Sequence, residues 1–140
     1  MKFSEIYVED LLLYRSSVSA GETFDIELPS HFEMTATVTK TSSSTAYAYF
    51  RTNNYDIGSL RQNGSISVRH NGGGGLVADN NTSIIQLNQP TILKYEYNNG
   101  THTVSANGQS ITGTYASTTG NFIQLYLQKY TASELKVKPL

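Results

Sequence analysis

The sequence predicts an all-β chain folded as a sandwich, a jelly roll or a barrel. Three observations carry that expectation. Apolar residues recur at every second position in short windows, the period of a strand with one face in a core and the other in solvent. Those windows are bounded by Gly, Asn, Ser and Pro. Four Asn-Gly pairs stand between them: Asn63-Gly64, Asn71-Gly72, Asn99-Gly100 and Asn107-Gly108. A type I′ turn needs positive φ at both central residues, which Asn and Gly tolerate, and its twist suits a hairpin.

The elements come in this order. Residues 9–15 are the one doubtful helical segment, ended by Val18 to Gly21. Phe24, Ile26 and Leu28 alternate with Asp25 and Glu27. Phe32, Met34, Ala36 and Val38 alternate with Glu33, Thr35, Thr37 and Thr39. Ala46, Ala48 and Phe50 alternate with Tyr47, Tyr49 and Arg51. Ile66 with Val68, and Leu76 with Ala78, mark two further short strands. Residues 91–97, 101–106 and 109–115 read as a meander turned by Asn99-Gly100 and Asn107-Gly108. Phe122 to Lys129 sets Ile123, Leu125 and Leu127 on one face, and Gln124, Tyr126 and Gln128 on the other. Leu135 and Val137 close the chain. Residues 41–45 and 71–75 read as loops of low complexity. No repeat at a fixed period is visible.

Composition bounds the function. At 140 residues the chain suits one domain, 1–140. It has no cysteine, which excludes disulfides and thiolate metal sites. Net charge is -1 with no Lys/Arg cluster, so nucleic-acid binding is not expected. The opening MKFSEIYVEDLLLY is no secretory signal: Glu5, Glu9 and Asp10 interrupt it, and Leu11-Leu12-Leu13 is too short. No run approaches the ~20 apolar residues of a membrane span, so a soluble chain without membrane insertion is expected. Only 15% of residues are charged, against a typical ~25%. Such a surface makes hydrogen bonds rather than ion pairs, a composition common in extracellular adhesins and viral tail proteins.

The meander and the segments after it carry a resemblance. A strand ending in KYEYNNG leads to THTVSANG, a polar return, the alternating FIQLYLQK and a final SELKVKPL. This is similar to the C-terminal half of the concanavalin-A-like (laminin-G-like) jelly roll, which has a short strand ending in Asn-Gly and a last strand of the form Leu-x-Val. LPSHFEMTATVTK resembles an early strand of the same superfamily. The resemblance spans most of residues 22–140 and is weakest over 53–90. It implies a concanavalin-A-like jelly-roll β-sandwich, with an unrelated β-sandwich as the rival. It also implies a saccharide-binding module of the kind found in phage tails and cell-surface proteins.

The superfamily includes glucanases, so a catalytic reading needs testing. Retaining glycoside hydrolysis needs two carboxylates roughly 5–5.5 Å apart across a cleft. The glucanases this fold resembles carry Glu-x-Asp-x-x-Glu on one strand. Here the nearest stretch is Glu22-x-x-Asp25-x-Glu27, with a different spacing and on another strand. Alternation puts Asp25 and Glu27 on one face and Glu22 on the other, so a solvated strand face is the better reading. His31, His70 and His102 are far apart without metal-binding spacing, and each reads as a surface or turn residue. Laminin-G-like domains often hold calcium at a loop rim. Asp56 and Asp79-Asn80-Asn81 would be the ligands here, but no Asp-rich loop motif supports them. There is no Gly-x-Ser-x-Gly. The run Asn71 to Gly75 lacks the Lys and the helix of a phosphate loop. No cofactor, metal or catalytic residue is expected.

Binding is the class that remains. Sugar sites combine flat apolar surface with directional hydrogen bonds, and Tyr supplies both. The chain has 10 Tyr and no Trp. Tyr47, Tyr49 and Arg51 form one outward stripe, and Gln124, Tyr126 and Gln128 a second, which the jelly roll would set side by side as a shallow groove. Arg69 joins them as a candidate. Tyr95 and Tyr97 share the face of Leu93 and read as core. The expected function is a non-catalytic carbohydrate-binding or adhesion module of a virion or cell surface, with a cell-surface glycan as partner. The alternative is a structural module that contacts other proteins and no sugar, because Tyr is equally at home in protein interfaces.

Overall fold

The computed structural model describes residues 11–42, 46–52, 55–60, 66–70, 75–79, 86–114 and 122–140. For residues 55–60 and 75–79, and for Arg69, His70 and Phe122, it describes the backbone alone. The strands in chain order are β1 (Leu13–Val18), β2 (Thr23–Asp25), β3 (His31–Lys40), β4 (Tyr47–Thr52), β5 (Tyr55–Leu60) and β6 (Ile66–His70). They continue as β7 (Gly75–Asp79), β8 (Thr91–Asn98), β9 (Thr101–Ala106), β10 (Gln109–Thr114), β11 (Phe122–Gln128) and β12 (Tyr130–Pro139). Among the described residues there is no helix, and so none long and apolar enough to cross a membrane.

Two six-stranded sheets result, with orders β1-β12-β3-β8-β9-β10 and β2-β11-β4-β5-β6-β7. Every neighbouring pair of strands in them is antiparallel. The all-β, two-sheet expectation holds. The last two strands do not extend the sheets at their edges. Instead β12 lies between β1 and β3, and β11 between β2 and β4.

Period-two burial builds the core. Along β3, Phe32, Met34, Ala36 and Val38 are buried while the Glu and Thr residues between them are half-exposed. Ala48 and Phe50 on β4, Leu93, Tyr95 and Tyr97 on β8, Ile123, Leu125 and Leu127 on β11, and Leu135 and Val137 on β12 face the same interior. Phe32 and Tyr95 meet edge to face with ring centroids 5.9 Å apart. The outer face of the β3 sheet is polar and charged. Lys94 Nζ meets Glu33 Oε1 at 2.7 Å, and His31 Nε2 meets Glu96 Oε2 at 3.1 Å. The hydrogen bond to Glu33 raises the Lys94 pKa above its ordinary value.

The meander forms as read. Asn99 and Gly100 have φ of 47° and 96°, and Asn107 and Gly108 have 50° and 79°. Those angles are the left-handed pair that a type I′ turn requires. Asn63-Gly64 and Asn71-Gly72 lie outside the described residues.

Three expectations need correction. Of the doubtful segment 9–15, residues 13–15 belong to a strand: β1 pairs with β12 from Leu13↔Val137 to Val18↔Ala132, while residues 9 and 10 lie outside the described residues. Leu13 and Val18 pack on the core, and Tyr14 donates a hydrogen bond to Glu134 Oε2 at 2.9 Å. The second correction is β5, YDIGSL, a strand that the alternating pattern does not mark. Tyr49 pairs with Ser59 and Phe50 with Ile57, so Gly58 is an extra residue in a bulge that breaks the period. The third is His102, which is neither a surface nor a turn residue. It lies in the core at 1% exposure, and its Nδ1 shares a 2.7 Å hydrogen bond with the Tyr95 hydroxyl. Its position is set by the turn, which sends His102, Val104 and Ala106 inward.

Two variants test this packing. A Cβ built on Gly108 meets nothing within 4 Å, so its left-handed φ is the only obstacle to a side chain. Gly108→Ala is expected to destabilise the fold by ~1–2 kcal/mol in urea unfolding; a neutral result would show that the turn tolerates another geometry. Tyr130 is 5% exposed, and its hydroxyl has no hydrogen-bond partner among the described residues. Burial pushes that phenol up to about 12 from its ordinary 10.0. The unfolded chain therefore ionises first, and the stability present below pH 10 is lost as pH rises towards 12. Tyr130→Phe should leave stability at pH 7 unchanged or raised by up to ~1 kcal/mol. It should also remove roughly 2 kcal/mol of the alkaline loss, read by urea unfolding at both pH values.

Candidate functional site

The two stripes lie on adjacent strands in direct register. Gln124 stands opposite Arg51, Tyr126 opposite Tyr49, and Gln128 opposite Tyr47. The intervening Leu125↔Phe50 and Leu127↔Ala48 pairs are buried. Alternation therefore sends all six side chains to the outer face of the β4 sheet, where each is half-exposed.

Tyr49 and Tyr126 stack with ring centroids 4.7 Å apart and planes 14° apart. Cross-strand aromatic neighbours at this distance stiffen one another, since each fixes the other's rotamer. The Arg51 guanidinium lies 5.6 Å from the Tyr49 ring centroid, and its Nη2 donates to the Tyr49 hydroxyl at 3.3 Å. The Tyr126 hydroxyl donates to Gln128 Oε1 at 3.4 Å. One continuous patch thus presents a paired aromatic surface bordered by a cation, two phenolic hydroxyls and an amide.

Gln124 does different work. Its Nε2 donates to Gly21 O at 2.8 Å and to Thr23 Oγ1 at 3.3 Å. These bonds tie β11 to the short edge strand β2, so Gln124 holds the rim of the patch. Arg69 is on β6, two strands beyond β4, and its side chain lies outside the described residues. A recess of about 400 Å³ beside the Asn107-Gly108 turn, lined by Ile92, Lys94, Ser105 and Gln109 among others, lies on the other sheet. The tyrosine patch lies on the opposite sheet, on the outer face of β4 and β11.

Glu22, Asp25 and Glu27 are all exposed, and Glu22 Oε1 accepts from the Ser19 backbone amide at 3.3 Å. The three are solvated as expected, but only Asp25 lies on a strand, β2. Among the described residues no three His, Cys, Asp or Glu side chains cluster to hold a metal ion. The side chains of Asp56, Asp79 and His70, together with Asn80 and Asn81, lie outside the described residues.

The Tyr49–Tyr126 stack is testable by a double-mutant cycle. Single Tyr49→Ala and Tyr126→Ala variants and the double variant should give a coupling of ~0.5–1.5 kcal/mol in chemical unfolding. Additive losses would mean that the rings merely lie side by side.

At the level of sequence, no protein-family model and no curated protein matches the chain. Solved structures do. The Caenorhabditis elegans galectin LEC-6 superposes with a TM-score of 0.69 at 13% identity, over 99% of each chain. The carbohydrate-binding module CBM66 from Bacillus subtilis gives 0.62 at 11% identity, over 94% of this chain and 99% of its own. The exoplasmic/lumenal domain of VIP36, in a Ca2+/Man-bound form, gives 0.59 at 13% identity, over 91% of this chain and 82% of its own. These neighbours are a galectin, a carbohydrate-binding module and a Man-bound lumenal domain. At such identities the likeness concerns architecture, and the chain has the concanavalin-A-like jelly-roll fold that they share.

Proposed function

We propose that this chain is a non-catalytic carbohydrate-binding module, and that its ligand lies along Tyr47, Tyr49, Arg51, Tyr126 and Gln128. The observation that carries this reading is the in-register Tyr49–Tyr126 stack with Arg51 and Gln128 at its border, on the outer face of one sheet. The stacked phenol rings supply apolar contact for the C–H groups of a sugar ring. The hydroxyls, guanidinium and amide supply donors and acceptors with fixed directions. The company of a carbohydrate-binding module and a Man-bound domain among the structural neighbours supports the same class.

A half-exposed patch of this size binds one sugar weakly. Useful affinity therefore comes from several copies acting together. That suits an adhesion module displayed on a cell surface or in a phage virion, and we extend the proposal to that setting on the strength of the sparse charge and hydroxyl-rich surface. The module is a single domain, 1–140, without a catalytic step.

The test is a glycan array probed with the chain displayed multivalently, beside Tyr49→Ala and Tyr126→Ala. Binding to a defined glycan, weakened ~10-fold or more in either variant, is the expected result. No glycan bound in that format would overturn the proposal in favour of a protein–protein assembly module using the same tyrosines.

A further inference from the structure

Each sheet ends in two edge strands: β1 and β10 on one, β2 and β7 on the other. An edge strand leaves a row of backbone N–H and C=O groups unpaired, and folded proteins blunt such rows with charge, shortness or bulges. Three of the four edges here are blunted. β1 carries the exposed Arg15, β2 is three residues long, and β7 ends in Asp79 and meets β6 through a register shift. The fourth edge, β10, has the sequence QSITGT. It has no charge, no proline and an unbroken six-residue register with β9.

The turn fixes which backbone groups of β10 point outward. Ala106 and Gln109 flank the two-residue Asn107-Gly108 turn and form its hydrogen-bonded pair. Bonded and non-bonded pairs then alternate, so Gln109, Ile111 and Gly113 turn their backbone groups towards β9. Ser110, Thr112 and Thr114 turn theirs to solvent, and all three residues are exposed. Their outward groups have no hydrogen-bond partner among the described residues.

We propose that β10 is an interaction edge, and that its partner is β10 of a second copy of this chain, paired antiparallel about a two-fold axis at Thr112. The strand is complementary to itself in that register. Ser110 meets Thr114 of the other copy, Thr112 meets Thr112, and Thr114 meets Ser110. Each of these is a close pair that exchanges two bonds, giving roughly six backbone hydrogen bonds. The same register sets Ile111 opposite Gly113. The one large apolar side chain of the strand, only partly buried in the single chain, thus meets the one residue that has no side chain. Thr112 against Thr112 is a favourable cross-strand pair, and no like charges meet anywhere along the strand. A partner of different chemistry would need some feature on β10 to select it, whereas an uncharged edge that matches its own two-fold image selects itself. The two six-stranded sheets would then run on as one. The dimer would carry two tyrosine patches, although the pairing does not depend on those patches binding sugar.

Light scattering of the full chain over a concentration series tests this, together with hydrogen exchange resolved to single amides. The expected mass climbs from 15.4 kDa towards twice that value. The amides of Ser110, Thr112 and Thr114 become protected as the mass rises. Thr112→Lys, which sets two cations against each other at the axis, and Ser110→Pro, which removes an outward donor, are each expected to hold the mass at one chain, with the thermal midpoint that the unsubstituted chain shows at dilutions where it is monomeric. A mass of one chain at every concentration overturns the proposal. So does a dimer that survives both variants, or one that forms without protecting those three amides.

Discussion

Strand β3 sets the faces of everything else. It is ten residues long, alternates without a break, and pairs along most of its length with β12 on one side and β8 on the other. A slip of one residue would turn Phe32, Met34, Ala36 and Val38 to solvent and bring the row of Glu33, Thr35, Thr37 and Thr39 into the core. The hydrophobic loss would be several kcal/mol for those side chains alone, so the register is held firmly. Once it is held, Tyr95 and Leu93 on β8 must face inward, and the two-residue turn carries the same parity to β9. That is why His102 ends in the core, with the Tyr95 hydroxyl as its hydrogen-bond partner.

The second sheet inherits its faces from the same core. Ala48 and Phe50 lie opposite Leu127 and Leu125, and all four are buried. The tyrosine patch is the reverse side of that packing. Its rings stand on a row of fully buried neighbours, so the backbone beneath them has little freedom. A binding surface built on such a base loses less entropy when a ligand settles than one built on loops. The two outer faces of the sandwich also differ in kind. One carries the charges of Glu33, Lys94 and Glu96, and the other the stacked rings, so the molecule has chemically distinct sides.

Most of the strands were legible because their burial has a strict period of two. β3, β4, β8, β9 and β11 each show it, and the turns at Asn99 and Asn107 announce themselves, whereas β12 changes parity at the irregularity between Ser133 and Lys136. β5 was not legible, because Gly58 adds a residue in a bulge and shifts the period midway. β1 was obscured by its run of leucines, which fits a helix as well as a strand until β12 is there to pair with it. The two polar stripes could be read from parity within β4 and β11. Their adjacency could not, because it depends on β11 entering between β2 and β4, a long-range pairing with no local signal. Gln124 shows the same limit: its bonds to Gly21 and Thr23 arise only from that insertion.

The insertion of both closing strands has a consequence for how the chain comes to exist. Before β11 and β12 are made, β2 and β4 have no shared neighbour, and neither have β1 and β3. A nascent chain ending at β10 holds its meander but has a gap in each sheet. Those gaps expose the apolar rows of β3 and β4, and they close only when residues 122–140 arrive. Pairings so distant in sequence are slow to find. Synthesis therefore leaves this fold open until β11 and β12 are made, one for each sheet, which makes it a natural client for holding chaperones and leaves a chain clipped before those two strands with nothing to seal it.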